Sequence, residues 1–156
     1  MAEENSRLMQ TMFKSVERAE DTFTSTAITT HGNKGGIFYL DITVENGSAT
    51  LDVKLQGLDQ ISGDWFDLAN NVMGTGAFAF AQASAVTVGP TVLTIYPGLD
   101  ESANAVCNGI LPEVFRAHAE VAGSGTPKFT FSLGVELIKS GGRYGFRTRR
   151  CWNRPL

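Results

Sequence analysis

A chain of 156 residues, 42% hydrophobic and 19% charged, is long enough to bury one core without metals or disulfides, and this composition excludes a disordered or coiled-coil protein. The net charge of −3 is unevenly distributed, because residues 1–138 hold seven Lys or Arg against 16 Asp or Glu, whereas residues 139–156 hold six Lys or Arg and no acid. With two cysteines, neither a disulfide framework nor a Cys-based zinc site is indicated. The sequence shows no long apolar run and no signal peptide, so we expect assembly in a cytosol and no association with a membrane.

The first 22 residues are predicted to form a short helical arm. Their apolar side chains recur at separations of three and four, as on one face of an amphipathic helix: Leu8, Met9, Met12, Phe13 and Val16. Because a helix of about four turns is marginal alone, it would dock on its own domain or on a neighbouring subunit. Met12 and Phe13 are the residues of this arm that we expect to bind a partner.

From Asp21 onward the apolar period changes to two, and Gly, Asn, Ser and Pro separate the runs, which is typical of strands joined by turns. The pattern predicts strands at 22–30, 37–45, 50–59, 64–71, 78–88, 91–97, 114–123 and 128–138. Asn46-Gly47, between the second and third of these, is a strong hairpin signal. Residues 23–138 are therefore predicted to form one all-β domain, an antiparallel β-sandwich or jelly-roll-like barrel of about eight strands.

A long interruption lies between Pro97 and Pro112. Proline cannot donate a backbone hydrogen bond and restricts the residue before it, so the two prolines end one strand and launch the next. The connection is longer than a hairpin needs, which favours a crossover at which the chain changes sheet. Cys107 is predicted to be a small buried residue of this connection, and Arg116 a salt-bridging residue of the strand that follows.

Residues 139–156 are predicted to form an extended basic tail. Arginines alternate there with aromatic residues, and the expected partner-binding residues are Arg143, Tyr144, Phe146, Arg147, Arg149, Arg150 and Trp152. Because residues 1–138 carry a net charge of −9 (7 minus 16), the tail of one subunit is expected to dock on the acidic surface of a neighbour. Protein docking is favoured over nucleic-acid binding.

Catalytic signals are weak. The two histidines, His31 and His118, are expected to be structural, and no Cys or second His lies at metal-ligand spacing from His118. A thiol dyad of Cys107 and His118 would support a hydrolase, but a lone cysteine is more often a small buried apolar residue. We expect no cofactor and no metal.

Aromatic residues near the predicted turns leave a binding function open. Trp65, Phe66 and Tyr96 would form a sugar-stacking platform if all three were exposed on one surface. More often, such residues belong to a core or an interface.

Four segments in order, ISGDWFDL (61–68), LTIYPGL (93–99), LPEVFRAHAEV (111–121) and FTFSLGVELI (129–138), resemble small β-sandwich structural proteins of tailed-bacteriophage virions. The resemblance covers about residues 35–138. It implies a non-enzymatic virion protein, foremost a capsid decoration or cement protein that bridges subunits of the major capsid protein as a homotrimer or other homo-oligomer, assembled in the host bacterial cytoplasm. The alternatives are a carbohydrate-binding or host-adhesion module of the virion and a head–tail or tail-associated minor protein.

Overall fold

The computed structural model describes residues 9–68, 88–100 and 106–139. Over these residues the chain is all-β, with no helix, and its strands are β1 (Met9–Ala19), β2 (Asp21–Thr24), β3 (Ile28–Thr29), β4 (Gly35–Leu58), β5 (Trp65–Asp67), β6 (Gly89–Ile95), β7 (Val106–Cys107) and β8 (Val114–Ile138). The all-β prediction is confirmed. The eight strands form one curled, mixed sheet close to half a barrel, so the two-sheet sandwich is not confirmed.

Two long strands, β4 and β8, form the centre of the sheet. They pair antiparallel over almost their whole length, from Gly35 opposite Ile138 to Gly57 opposite Phe115. The sheet order is β1-β8-β4-β6-β7, with β2 and β3 also beside β8 and β5 beside β4. We call the part flanked by β1 and β6 the first half of the sheet, and the part flanked by β2, β3 and β5 the second half.

The predicted hairpin at Asn46-Gly47 is wrong, because β4 continues through these residues. Asn46 pairs with Lys128 and Ser48 with Ser124, so a single residue of β4 lies opposite three residues of β8. Because β4 pairs with β8 on both sides of this point, the Asn-Gly pair lies at a bulge in the ladder and does not reverse the chain. The predicted strands 37–45 and 50–59 are consequently one strand, as are 114–123 and 128–138.

A second bulge, at Thr43, keeps the apolar side of β4 on the inner face of the sheet. The register shifts between Ile42 and Val44, and a shift of one residue exchanges the two faces of a strand. The buried hydrophobic side chains of β4 therefore have even numbers before the bulge and odd numbers after it: Phe38, Leu40 and Ile42, then Ala49, Leu51, Val53 and Leu55. Both halves of the sheet thus contribute to one core.

The predicted helical arm is wrong for Met9–Ala19, which is the edge strand β1. β1 pairs with β8 and has register shifts on both sides of Phe13. These irregularities place the neighbouring residues Met12 and Phe13 both inside, each 5% exposed. Apolar spacing that indicated a helix arises here from a bulged strand. Residues 1–8 of the predicted arm lie outside the described residues.

The sheet curls until its two ends meet. Lys34 precedes β4 and Leu111 precedes β8, and antiparallel pairing puts the starts of these strands at opposite ends of the sheet. Nevertheless, the Leu111 amide donates to the Lys34 carbonyl oxygen at 2.9 Å. We call this meeting line the seam; Leu111 is buried there, and the short strand β7 beside it carries the buried Cys107 that the sequence predicts.

Candidate interaction surface

The seam is closed by side chains that pack over glycine. A methyl group at Gly57 would lie 2.7 Å from Phe66 Cζ and 2.7 Å from Pro112 Cγ, which is closer than real Cβ contacts. Phe66, opposite Gly57 in the ladder between β4 and β5, therefore meets the segment that leads into β8. The absence of a side chain at Gly57 is what allows β5 and this segment to pack together.

Three large apolar side chains are exposed near the seam. Phe66 is 47% exposed, Ile110 is 65% exposed, and Ile61, in the turn between β4 and β5, is 98% exposed. Single exposed apolar residues are common on protein surfaces, but a group from three segments at one end of a fold is typical of an interaction site. We call Ile61, Phe66, Ile110 and the intervening Pro112 the seam patch.

The turn that carries Ile61 is held by its own hydrogen bonds. The Asp59 carboxylate accepts from the Ile61 amide at 2.9 Å and from the Ser62 hydroxyl at 3.0 Å. The Asp59 amide donates to the Asp64 carbonyl at 2.8 Å, and Gly63, at φ 81°, donates back to the Asp59 carbonyl at 2.8 Å. Ile61 thus protrudes from a preorganised turn, so that ordering it on binding costs little conformational entropy.

Asp59 is charged at neutral pH. The hydrogen bond from the Ile61 amide, followed by that from the Ser62 hydroxyl, lowers the pKa of the Asp59 carboxyl below its ordinary value. Hydrogen bonds to the ionised form of a carboxyl favour that form. The turn therefore presents an apolar tip together with a fixed negative charge.

A polar network covers the outward face of the second half. The Arg116 guanidinium lies 4.1 Å from the centre of the Trp65 ring, and its Nε donates to Gln56 Oε1 at 2.9 Å. Gln56 Nε2 in turn donates to Asp67 Oδ1 at 2.8 Å, and Lys54 Nζ pairs with Asp67 Oδ2 at 2.7 Å. Arg116, predicted to form a salt bridge, instead stacks on an aromatic ring and joins this network.

Opposing influences act on Asp67 within the network. Partial burial is the strongest of them and raises the pKa of the Asp67 carboxyl. The hydrogen bonds from Lys54 and Gln56, together with electrostatic interactions with Lys54 and His118, outweigh burial, so the pKa of Asp67 is lowered overall. Asp67 is thus an ionised acceptor that fixes the cations around it.

The three aromatic residues of the possible sugar-stacking platform do not share one surface. Trp65 and Phe66 are successive strand residues, so their side chains point to opposite faces of the sheet. Arg116 covers the Trp65 ring, whereas Tyr96 packs against the backbone of Gly35. Their positions give no flat aromatic face.

The residues of the possible thiol dyad also lie in different surroundings. Cys107 is 6% exposed and belongs to the core. His118 points outward from β8, between Lys54 of β4 and Thr24 of β2. Over the described ranges, no group of three His, Cys, Asp or Glu side chains is placed to hold a metal ion.

The predicted partner-binding residues divide into two groups. Met12 and Phe13 lie in the core of their own chain, where little of their surface is available to a partner. The other seven lie in the C-terminal segment, outside the described residues: Arg143, Tyr144, Phe146, Arg147, Arg149, Arg150 and Trp152.

Sequence reasoning missed Ile61 and Ile110 as surface residues. The signal for Ile61 was an apolar residue inside DQISGD, a run of turn-forming residues with an aspartate two positions before it and a glycine two positions after it. Ile110 had no such signal, because its exposure depends on how the segment before β8 meets the seam.

Among 9–68, 88–100 and 106–139, no helix is long and apolar enough to span a membrane. In comparisons with known proteins, the chain matches no family model, no curated protein and no solved structure.

Proposed function

We propose that this chain is a non-enzymatic structural protein of a tailed-bacteriophage virion, a decoration or cement protein that binds across subunits of the major capsid protein. The observation that carries the proposal is the seam patch, in which Ile61 is 98% exposed on a rigid turn. A side chain held in this way is suited to insertion into a partner and offers nothing to the chemistry of a small substrate.

The rest of the described chain fits a scaffold that presents a surface. One core extends through both halves of the sheet, and no buried side-chain nitrogen or oxygen within the described residues lacks a hydrogen-bond partner. Such a body contributes affinity through interface area, and several copies on a lattice add avidity without a deep pocket. This is the way in which a cement protein stabilises a shell.

The basic C-terminal segment supplies a second contact element in this proposal. Its cations and aromatic residues complement the acidic body of a neighbouring copy, as in a homotrimer or other homo-oligomer. A contact from the tail of one copy to the body of the next is heterologous, and a heterologous contact closes into a ring when the rotation permits.

The proposal is tested by adding the purified full-length protein to capsids of the parent phage that lack it, and separating bound from free protein by sedimentation. We expect saturable binding with a fixed ratio to the major capsid protein, and capsids that resist heat better when loaded. Binding to isolated tails or connectors but not to capsids would replace the decoration role with that of a minor tail or head–tail protein. Binding to none of them would refute a virion role.

A further inference from the structure

We propose that the seam patch binds a segment of the major capsid protein in which apolar side chains stand between Lys or Arg residues. This inference rests on the proposed function and adds the chemistry of the partner.

Negative charge predominates around the seam patch, where three carboxylates stand against the exposed Lys34, whose carbonyl oxygen accepts from the Leu111 amide. Asp59 and Asp64 lie on either side of Ile61 in the turn, and Glu113 follows Pro112; all three carboxylates are exposed. Neither 59–68 nor 106–115 contains a Lys or Arg. A partner whose apolar groups contact Ile61 and Ile110 therefore brings its flanking groups near these carboxylates, which favours cations there.

Two further cations, Arg116 and Lys54, do not neutralise the patch. Arg116 is stacked on Trp65 and bonded to Gln56, and Lys54 is paired with Asp67. These contacts hold both positive charges in the polar network of the outward face. The carboxylates of the turn remain available to a partner.

The same charge pattern disfavours direct contact between the seam patches of two copies. In a two-fold contact the same surface of each copy meets itself. Such a contact would bring the carboxylates of one copy, Asp64 and Glu113 among them, against those of the other, and like charges in an interface are unfavourable. The complementary surface therefore carries the opposite charge. We assign it to the capsid lattice, against which the proposed function places this protein, and the test below distinguishes it from the basic C-terminal segment of another copy.

Two full-length variants test the charge and the apolar anchor separately. The first combines Asp64→Asn with Glu113→Gln, and the glutamine side chain retains an oxygen to accept from the Thr30 hydroxyl. We expect capsid binding about fivefold weaker at low salt, with the difference vanishing at high salt, because charges at the rim of an interface contribute modestly to affinity and are screened by salt. The matched control, Asp41→Asn with Glu120→Gln, removes two exposed carboxylates elsewhere and should bind like the wild type.

The second variant, Ile61→Asp, is expected to weaken capsid binding at least about tenfold, since it removes the anchor and adds a charge. Its control is Val16→Asp, the same kind of substitution at an apolar residue of β1 that is 48% exposed. Light scattering on all the variants measures self-association in the absence of capsids.

The outcomes separate the inference from the proposed function. Wild-type protein that does not bind capsids overturns both. Wild-type binding with seam-patch variants that behave like their controls overturns the inference alone. Variants that lose self-association while keeping capsid affinity also overturn it, because the occupant would then be the basic C-terminal segment of another copy.

Discussion

The rings of Phe38 and Phe115 meet edge to face, with their centroids 5.8 Å apart and their planes at 77°. Phe115 pairs with Gly57, and 19 residues (57 minus 38) separate Gly57 from Phe38 along β4. In a straight strand this distance would be about 60 Å. The contact therefore requires the central pair of strands to curl back toward itself, with the bulges at Thr43 and Gly47 supplying bends.

Coupling between these two rings measures the closure. We expect Phe38→Leu and Phe115→Leu each to lower the free energy of unfolding, and the double variant to lose less than the sum by about 0.5–1.5 kcal/mol. Denaturant titration of the four proteins gives the coupling energy. A matching cycle of Phe38→Leu with the exposed Val16→Ala should give a value near zero. Additive effects in the ring pair would contradict the contact.

Gly57→Ala is expected to open the seam. The new methyl group would meet both Phe66 and Pro112, whose rings adapt poorly, and overpacking of this kind costs about 1–3 kcal/mol. The lower denaturation midpoint should be accompanied by a change in the chemical shifts of the Phe66 ring.

Gly109→Ala is the control for the seam substitution. A methyl group there would lie 3.5 Å from Cys107 Sγ, an ordinary contact. We expect a stability close to that of the wild type. Equal losses in the two variants would show that general sensitivity to alanine, and not the seam, explains the result.

Arg18 holds the bulged part of β1 to β8. Its guanidinium donates to the carbonyl oxygens of Lys14 at 3.0 Å, Val16 at 3.1 Å and Phe131 at 3.0 Å. It also lies 4.4 Å from the centre of the Phe131 ring. Arg18→Lys keeps the charge but not the planar fork of donors, so we expect a loss of about 1.5–3 kcal/mol in chemical denaturation.

Lys128→Gln provides the comparison for Arg18. It removes an ion pair with Glu17 (2.9 Å) whose side chains are 42% and 53% exposed. Exposed pairs contribute little, so the loss should stay below about 1 kcal/mol. If the two variants were equally destabilised, the contacts of Arg18 with the carbonyl groups would have no special role.

Acid should loosen the turn that carries Ile61. The pKa of Asp59 is lowered in the folded chain, so the stabilisation it gives is present above its unfolded pKa of about 3.9 and is lost as the pH falls through the folded value. The Ile61 amide resonance should therefore shift with a midpoint below about pH 3.9. Asp59→Asn should abolish this titration, whereas Asp64→Asn should leave it in place. A midpoint at or above about 3.9 would contradict the hydrogen-bonded carboxylate.

The sequence predicted the parts of the fold that neighbouring residues decide. Alternation of Leu51, Val53 and Leu55 with polar residues identified the second part of β4 and its inner face, because a strand with one buried face needs this pattern whatever its partner is. The buried position of Cys107 followed in the same way from its residue type.

Features decided by distant pairing were not predicted. Asn46-Gly47 predicts a hairpin from its local sequence, whereas in the fold β8 pairs with β4 on both sides of it. Similarly, Met12 and Phe13 suggest a helix until the register shifts of β1 are known. At the candidate site, the exposure of Ile110 depends on contacts across the seam, which join positions far apart in the chain.

The position of β8 in the sheet also governs when the chain can fold. β1, β2, β3 and β4 all pair with β8, and Met9 lies opposite Glu136, 127 residues later (136 minus 9). Contacts at such separations give a high contact order and slow folding, on a scale of about milliseconds to seconds for all-β domains. During translation β2 and β3 lack their partner until residues 114–121 have left the ribosome, and β1 lacks its partner until residues 128–136 have done so. Over that interval their unpaired edges are exposed to aggregation.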